Sequence, residues 1–329
     1  MDSANVKTPT LRSALWLYLI ALIGTALIVI GLQNAIRSLS FLRLVAAFLA
    51  VGLPLFIAAF VLRLPIGGSF GRSPRLLHLL AGLLIGIAAW LPASWLTFAA
   101  NYALDATIGI LPPPPAVTEG VLPLAAIVQL GVVVPTLQGI LFWAYLQRSA
   151  SGLGANGAAL FAAALYGLFA LVGTEFGYAG IAGALMIGLL AAFMTRYAES
   201  AWAGIAVGCG YSLVRPLLEN TPLEAQLFTA LGTELFGGAW LLTAGSGAFI
   251  AVFLLQMVRA FRAAPLENPP QVRMGSAWYI PLIIALGLYL LIGYGEFGLR
   301  AQNALRGAPP PPESGSTIVP IRPSPTPER

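Results

Sequence analysis

Long apolar runs recur along this chain, and they restrict its fold more than any other feature. They lie near residues 14–32, 41–62, 76–100, 121–146, 157–172, 179–195, 201–217, 238–258 and 277–295. A bilayer core about 30 Å thick needs roughly 20 such residues per helix. Spanning strands would need alternating character, which these continuous runs lack. Only 9% of the 329 residues are charged and 58% are hydrophobic, whereas soluble chains carry about a quarter charged residues. The expected fold is all-α: a polytopic transmembrane helix bundle of eight or nine spans, the fifth of them short. The first run is too long for a signal-peptide core and has no clear cleavage site, so it reads as a signal anchor. A single cysteine, Cys209, excludes an intrachain disulfide.

The net charge of +5 does not point to nucleic acid, because its distribution follows a membrane. With the N-terminus taken as cytoplasmic, the inner loops hold Lys7, Arg12, Arg63, Arg72, Arg75, Arg148, Arg196, Arg259, Arg262 and Arg273. Only Asp2, Glu199 and Glu267 oppose them on that side. The other side and the C-terminal tail hold seven basic residues against nine acidic ones. This asymmetry orients the chain in an inner or plasma membrane, N-terminus inside and tail outside, with Arg37 and Arg43 as exceptions.

Three regions follow from the spacing of the runs. Residues 1–110 carry three spans, 121–217 carry four joined by short loops, and 224–295 carry two. Pro112-Pro113-Pro114-Pro115 makes a stiff, extended connection between the first two regions. The tail 307–329 is rich in Pro and Ser and is expected to be disordered. Gly82 with Gly86, and Gly204 with Gly208, stand four apart, the spacing at which helix backbones approach closely in lipid. Packing within one bundle explains both pairs.

The middle region carries the most particular pattern. It begins Pro135-Thr136-Leu137-Gln138-Gly139-Ile140-Leu141-Phe142-Trp143-Ala144-Tyr145-Leu146-Gln147. Further on come Tyr166-Gly167-Leu168-Phe169-Ala170 and, after Ala201-Trp202-Ala203-Gly204-Ile205-Ala206-Val207, the segment Gly208-Cys209-Gly210-Tyr211-Ser212. In apolar context and spacing, about 80 residues here resemble the core of the CPBP family, the CAAX prenyl proteases and bacteriocin-processing enzymes. The resemblance implies a four-helix core and a metal-dependent hydrolase site. There, a glutamate pair, a histidine after an aromatic residue, and a histidine with an asparagine four residues later would hold zinc and activate water.

The residues at those positions are different. Gln138 and Gly139 stand for the glutamate pair, and Trp143 for the arginine of the same motif. Ala170 stands for the second-motif histidine, or Gly173 in a register three residues later. Gly208 and Ser212 stand for the last histidine and asparagine. Glycine and alanine side chains cannot ligate, and a glutamine is no base at neutral pH. His78, at the start of the third span, is the only histidine in the chain. No catalytic residue, metal ligand or cofactor is therefore expected. Cys209 reads as a small buried hydrophobe rather than a nucleophile.

A second group is acidic. Gly173-Thr174-Glu175-Phe176-Gly177, Gly232-Thr233-Glu234-Leu235-Phe236-Gly237 and Gly295-Glu296-Phe297-Gly298 are similar phrases. Glu175, Glu234 and Glu296 are expected at the outer face, as interfacial helix ends or as a cluster binding a cation or a protein. Gln138 is placed in the inner half, away from Glu175. The function implied is a catalytically inactive CPBP-like protein that binds or scaffolds in the membrane. Its partners would be the lipid bilayer with a membrane protein or a peptide or lipid ligand. The alternatives are an active intramembrane endopeptidase with an atypical site, an accessory subunit of a larger complex, and a small-solute transporter.

Overall fold

The fold is known from a computed structural model, which describes residues 10–32, 35, 36, 38–61, 63, 67–109, 124–173, 177–219, 231, 236–261 and 275–305. Among the described residues, nine helices are long and apolar enough to cross a membrane. They are α1 (Leu11–Leu32), α2 (Ser40–Val61), α3 (Leu76–Thr107), α4 (Gln129–Ser149), α5 (Ser151–Val172), α6 (Ala179–Ala198), α7 (Ala201–Leu218), α8 (Gly238–Ala260) and α9 (Ile280–Ala304). The described residues form no strand beyond one isolated bridge between Gly71 and Ser200. The chain is an all-α, multi-pass membrane protein. Its outward surface agrees: Leu27, Phe60, Leu242, Phe249 and Leu291 are exposed on it, and a continuous apolar coat of that kind is at rest only in hydrocarbon.

The central helix is α3, which packs along α7, α6 and α8. Small residues set the closeness of the α3–α7 crossing. A Cβ on Gly82 would meet the Ala203 carbonyl, one on Gly86 the Val207 carbonyl, and one on Gly210 the Leu83 carbonyl. Lipid supplies little drive for helix association, so backbone contact of this kind carries the dispersion energy instead. Gly204 packs on α6, against Thr195 and Ala191, and Gly208 lies beside Pro135 of α4. Both glycine pairs picked out by spacing thus serve contacts inside one bundle.

Helix α5 packs on α6, α4 on α7 and α1, and α9 on α1. The Tyr18 hydroxyl of α1 donates to the Leu165 carbonyl of α5 at 3.0 Å and pairs with the Tyr289 hydroxyl of α9. Helices from the three sequence regions therefore interleave. The last two spans are the least covered: α8 and α9 bury 22% of their most apolar stretch, against 50% for α3, α4, α5 and α6.

Helices α2 and α4 each contain a wide turn just ahead of a proline. The Leu53 N–H reaches back five residues to Phe48 O, with Pro54 next; the Val134 N–H reaches Gln129 O, with Pro135 next. Proline offers no N–H and crowds the preceding turn, and the helix answers by widening there. The connection ahead of α3 is pinned at the opposite end from the α5–α6 turn. There the Arg72 N–H donates to Glu199 O at 2.9 Å. Gly71, at φ +79°, sits where a side chain would strike Arg148.

Candidate functional site

A cavity of about 200 Å³ opens among α1 to α7. Its wall takes Thr25 and Val29 from α1, Arg43, Ala46, Ala47 and Val51 from α2, and Thr97 from α3. Helix α4 adds Val134 and Gln138; α5 and its end add Tyr166, Phe169, Ala170 and Gly173. Gly180 and Ala184 come from α6, and Tyr211 and Ser212 from α7. Gln138 is the tenth of 21 residues in α4 and so lies near the middle of that span. Gly173 and Gly180 flank the α5–α6 turn and Arg43 is near the start of α2, so the cavity runs from mid-span toward that end of the bundle.

Three of the six positions that resemble the hydrolase site meet here. Gln138, Ala170 and Ser212 come from three different helices and share the wall, as does Gly173, the alternative to Ala170. The other three face elsewhere. Gly139 is buried where a Cβ would strike the Ile205 side chain of α7. Trp143 is buried, its ring 5.9 Å from Phe142 and 5.3 Å from Tyr166. Gly208 is at van der Waals distance from Pro135. Gln138, at mid-span, shares its cavity with Gly173 and Gly180, which stand on either side of the α5–α6 turn; Glu175, from which it was expected to lie apart, is outside the described residues.

The polar groups of the wall differ in how they are satisfied. Thr97 Oγ1 donates to the Ala93 carbonyl at 3.1 Å. Thr25 is 5% exposed, and its hydroxyl has no hydrogen-bond partner among the described residues. Neither the Gln138 nor the Ser212 side chain bonds to another described residue. Among the described residues, Arg43 is the one charged residue on the wall and no carboxylate lines it. This set does not fit zinc: an amide, hydroxyls and a guanidinium supply neither imidazole nor carboxylate. Among the described residues no three His, Cys, Asp or Glu side chains converge. His78 stands 19 residues before Thr97 on α3, roughly 28 Å away at 1.5 Å per residue. Cys209 is 8% exposed and packs between α7 and α4, its sulfur 3.8 Å from Val132 O.

Of the three acidic phrases, the first and third meet, Gly177 lying against the Glu296 carboxylate. Glu175 and Glu234 lie outside the described residues, as do the Pro112–Pro115 run and the tail 307–329. Glu296 is not at a watery helix end; it is 7% exposed and its charge is used internally. Arg300, 1% exposed, donates from Nε to Glu296 Oε1 at 3.0 Å, and its Nη1 pairs with Asp105 of α3. Arg300 Nη2 reaches Asn101 Oδ1 at 3.0 Å and Nη1 the Gly109 carbonyl, while Glu296 Oε2 accepts from the Tyr178 N–H at 2.9 Å. This network ties α9 to α3 and to the start of α6, next to the cavity rim. Sequence reading missed it, although Glu296 and Arg300 are four apart on one helix. It also noted Arg43 only as an exception to the charge rule, and passed over Thr25.

No protein-family model matches the chain, and neither a curated protein nor a solved structure matches it.

Proposed function

We propose that this protein is a catalytically inactive, CPBP-like binding or scaffolding subunit of an inner or plasma membrane, its N-terminus cytoplasmic and its tail outside. One observation carries the reading. Gln138, Ala170 and Ser212, separated by 32 and 42 positions, fall together on one cavity, and they stand at three of the positions that the resemblance assigns to a hydrolase site. Chance apolar similarity gives no reason for those positions to converge. The side chains now there bind by hydrogen bond and shape, without the ligands and base that hydrolysis needs. A cavity of this kind holds part of a ligand; the apolar outer coat is left to lipid or to a partner's helices.

The test is purification of the intact chain in a mild detergent, with zinc assay and identification of what copurifies. Far less than one zinc per chain is expected, together with a copurifying ligand or protein. That species should be lost when Ala184→Phe or, more gently, Ala170→Leu fills the cavity. One tightly held zinc per chain, or peptide cleavage stopped by a chelator, would overturn the proposal.

A further inference from the structure

We infer that the cavity receives the oxyanion headgroup of a membrane amphiphile, an anionic phospholipid in the first place, with Arg43 as its charge partner. The inference rests on reading the cavity as a binding site and names what the site takes.

Four observations favour such a ligand. Among the described residues, the wall carries a single formal charge, the positive one of Arg43, and no carboxylate. Arg43 is the fourth residue of α2, hence near the end of a span, at the depth where lipid headgroups lie. It already interacts within the chain. A guanidinium has five N–H donors in a planar fork, however, so an oxyanion adds to its contacts without displacing them.

Thr25 provides the second observation. Its hydroxyl is buried on the cavity wall with no partner among the described residues. A buried hydroxyl is expected to be satisfied, and one left open toward a cavity calls for a ligand atom. Third, Gln138 and Ser212 continue the polar wall inward, while Val29, Val51 and Phe169 line the same space with apolar surface. That mixture suits a headgroup and the first part of a chain. The fourth is size. At about 200 Å³ the cavity falls below the ~300–1,000 Å³ of sites that enclose whole small ligands. An amphiphile needs only its head inside, with its tails left in the bilayer.

The experiment titrates the full-length, delipidated protein in a neutral detergent with dioleoyl phosphatidylglycerol, dioleoyl phosphatidylcholine, oleate or inorganic phosphate, reading bound species by native mass spectrometry. Phosphatidylglycerol should bind at least about tenfold more tightly than phosphatidylcholine, the size of effect a charge-assisted hydrogen bond supplies. Arg43→Gln should bring that ratio near one, Arg43→Lys should keep part of it, and Thr25→Val should weaken phosphatidylglycerol roughly fivefold. Equal binding of the two lipids, or a ratio unmoved by Arg43→Gln, overturns the inference. Inorganic phosphate competing as well as the lipid overturns its amphiphile part, and oleate outcompeting phosphatidylglycerol overturns the phosphate headgroup. Ala184→Phe, with Ala170→Leu as the milder fill, separates the two levels. If filling abolishes lipid binding while Arg43→Gln changes nothing, the cavity reading stands and the anion assignment falls. If filling leaves lipid binding intact, both fall.

Discussion

Gln138 shows how one side chain can be read two ways until its neighbours are known. A glutamine in an apolar helix is most simply a bond between helices. Here it faces the cavity and bonds to no other described residue. Gln138→Leu should therefore leave thermal unfolding in detergent within about 0.5 kcal/mol of the parent, the range for sites without structural partners. Ligand retention should fall in the same protein. A large drop in stability would return the residue to a structural role. Gly86 is the opposite case. A methyl group there would enter the space of the Val207 carbonyl and the Tyr211 N–H, both backbone and unable to swing aside. Gly86→Ala should lower stability by about 1–3 kcal/mol through overpacking. Gly245→Ala on α8, where nothing lies within 4 Å, should cost nothing and is the control that removes helix propensity from the comparison.

Among the helices, the Arg300 network explains where reading apolar runs stopped short. The third run ends near residue 100 and the ninth near 295, yet α3 reaches Thr107 and α9 reaches Ala304. The missing turns contain Asn101, Asp105, Glu296 and Arg300, which look like helix ends facing water. They are inside because they satisfy one another across 195 positions of sequence, a pairing that no local window contains. The fifth span reads short for a simpler reason: Ser151-Gly152-Leu153-Gly154 has little hydropathy, although helix α5 begins at Ser151. The existence and number of the spans were legible because each is a long run in itself. The cavity was legible only at three positions, through a spacing pattern, and its cation was not. Arg300→Met should leave Glu296 and Asp105 as unmatched charges and cost about 3–5 kcal/mol in unfolding. Glu296→Gln, which keeps an acceptor for the Tyr178 N–H, should cost less. Equal and small losses for both would mean that water already reaches these groups.

For the whole molecule, the fold and the charges make one statement that can be checked in intact cells. The ends of α2, α4, α6 and α8 and the beginnings of α1 and α3 carry Arg12, Arg63, Arg75, Arg148, Arg196 and Arg259. Because consecutive spans alternate in direction, these six arginines gather at one end of the bundle, and the cavity opens toward the other. Loops dense in Arg and Lys stay on the cytoplasmic side. In the orientation proposed above, the cavity would open in the outer half, and a ligand would enter from the outer leaflet. Cys209, the only cysteine in the chain, is buried between helices, which leaves a nearly clean background for labelling. In a Cys209→Ala protein, Ser314→Cys should react with a membrane-impermeant maleimide applied to intact cells, and Ser3→Cys only after the membrane is opened. Reversed labelling would invert the bundle, place the arginine-rich end outside, and move the entrance of the cavity to the inner leaflet. Labelling at both positions in intact cells would mean that an odd number of crossings does not separate the two ends of the chain.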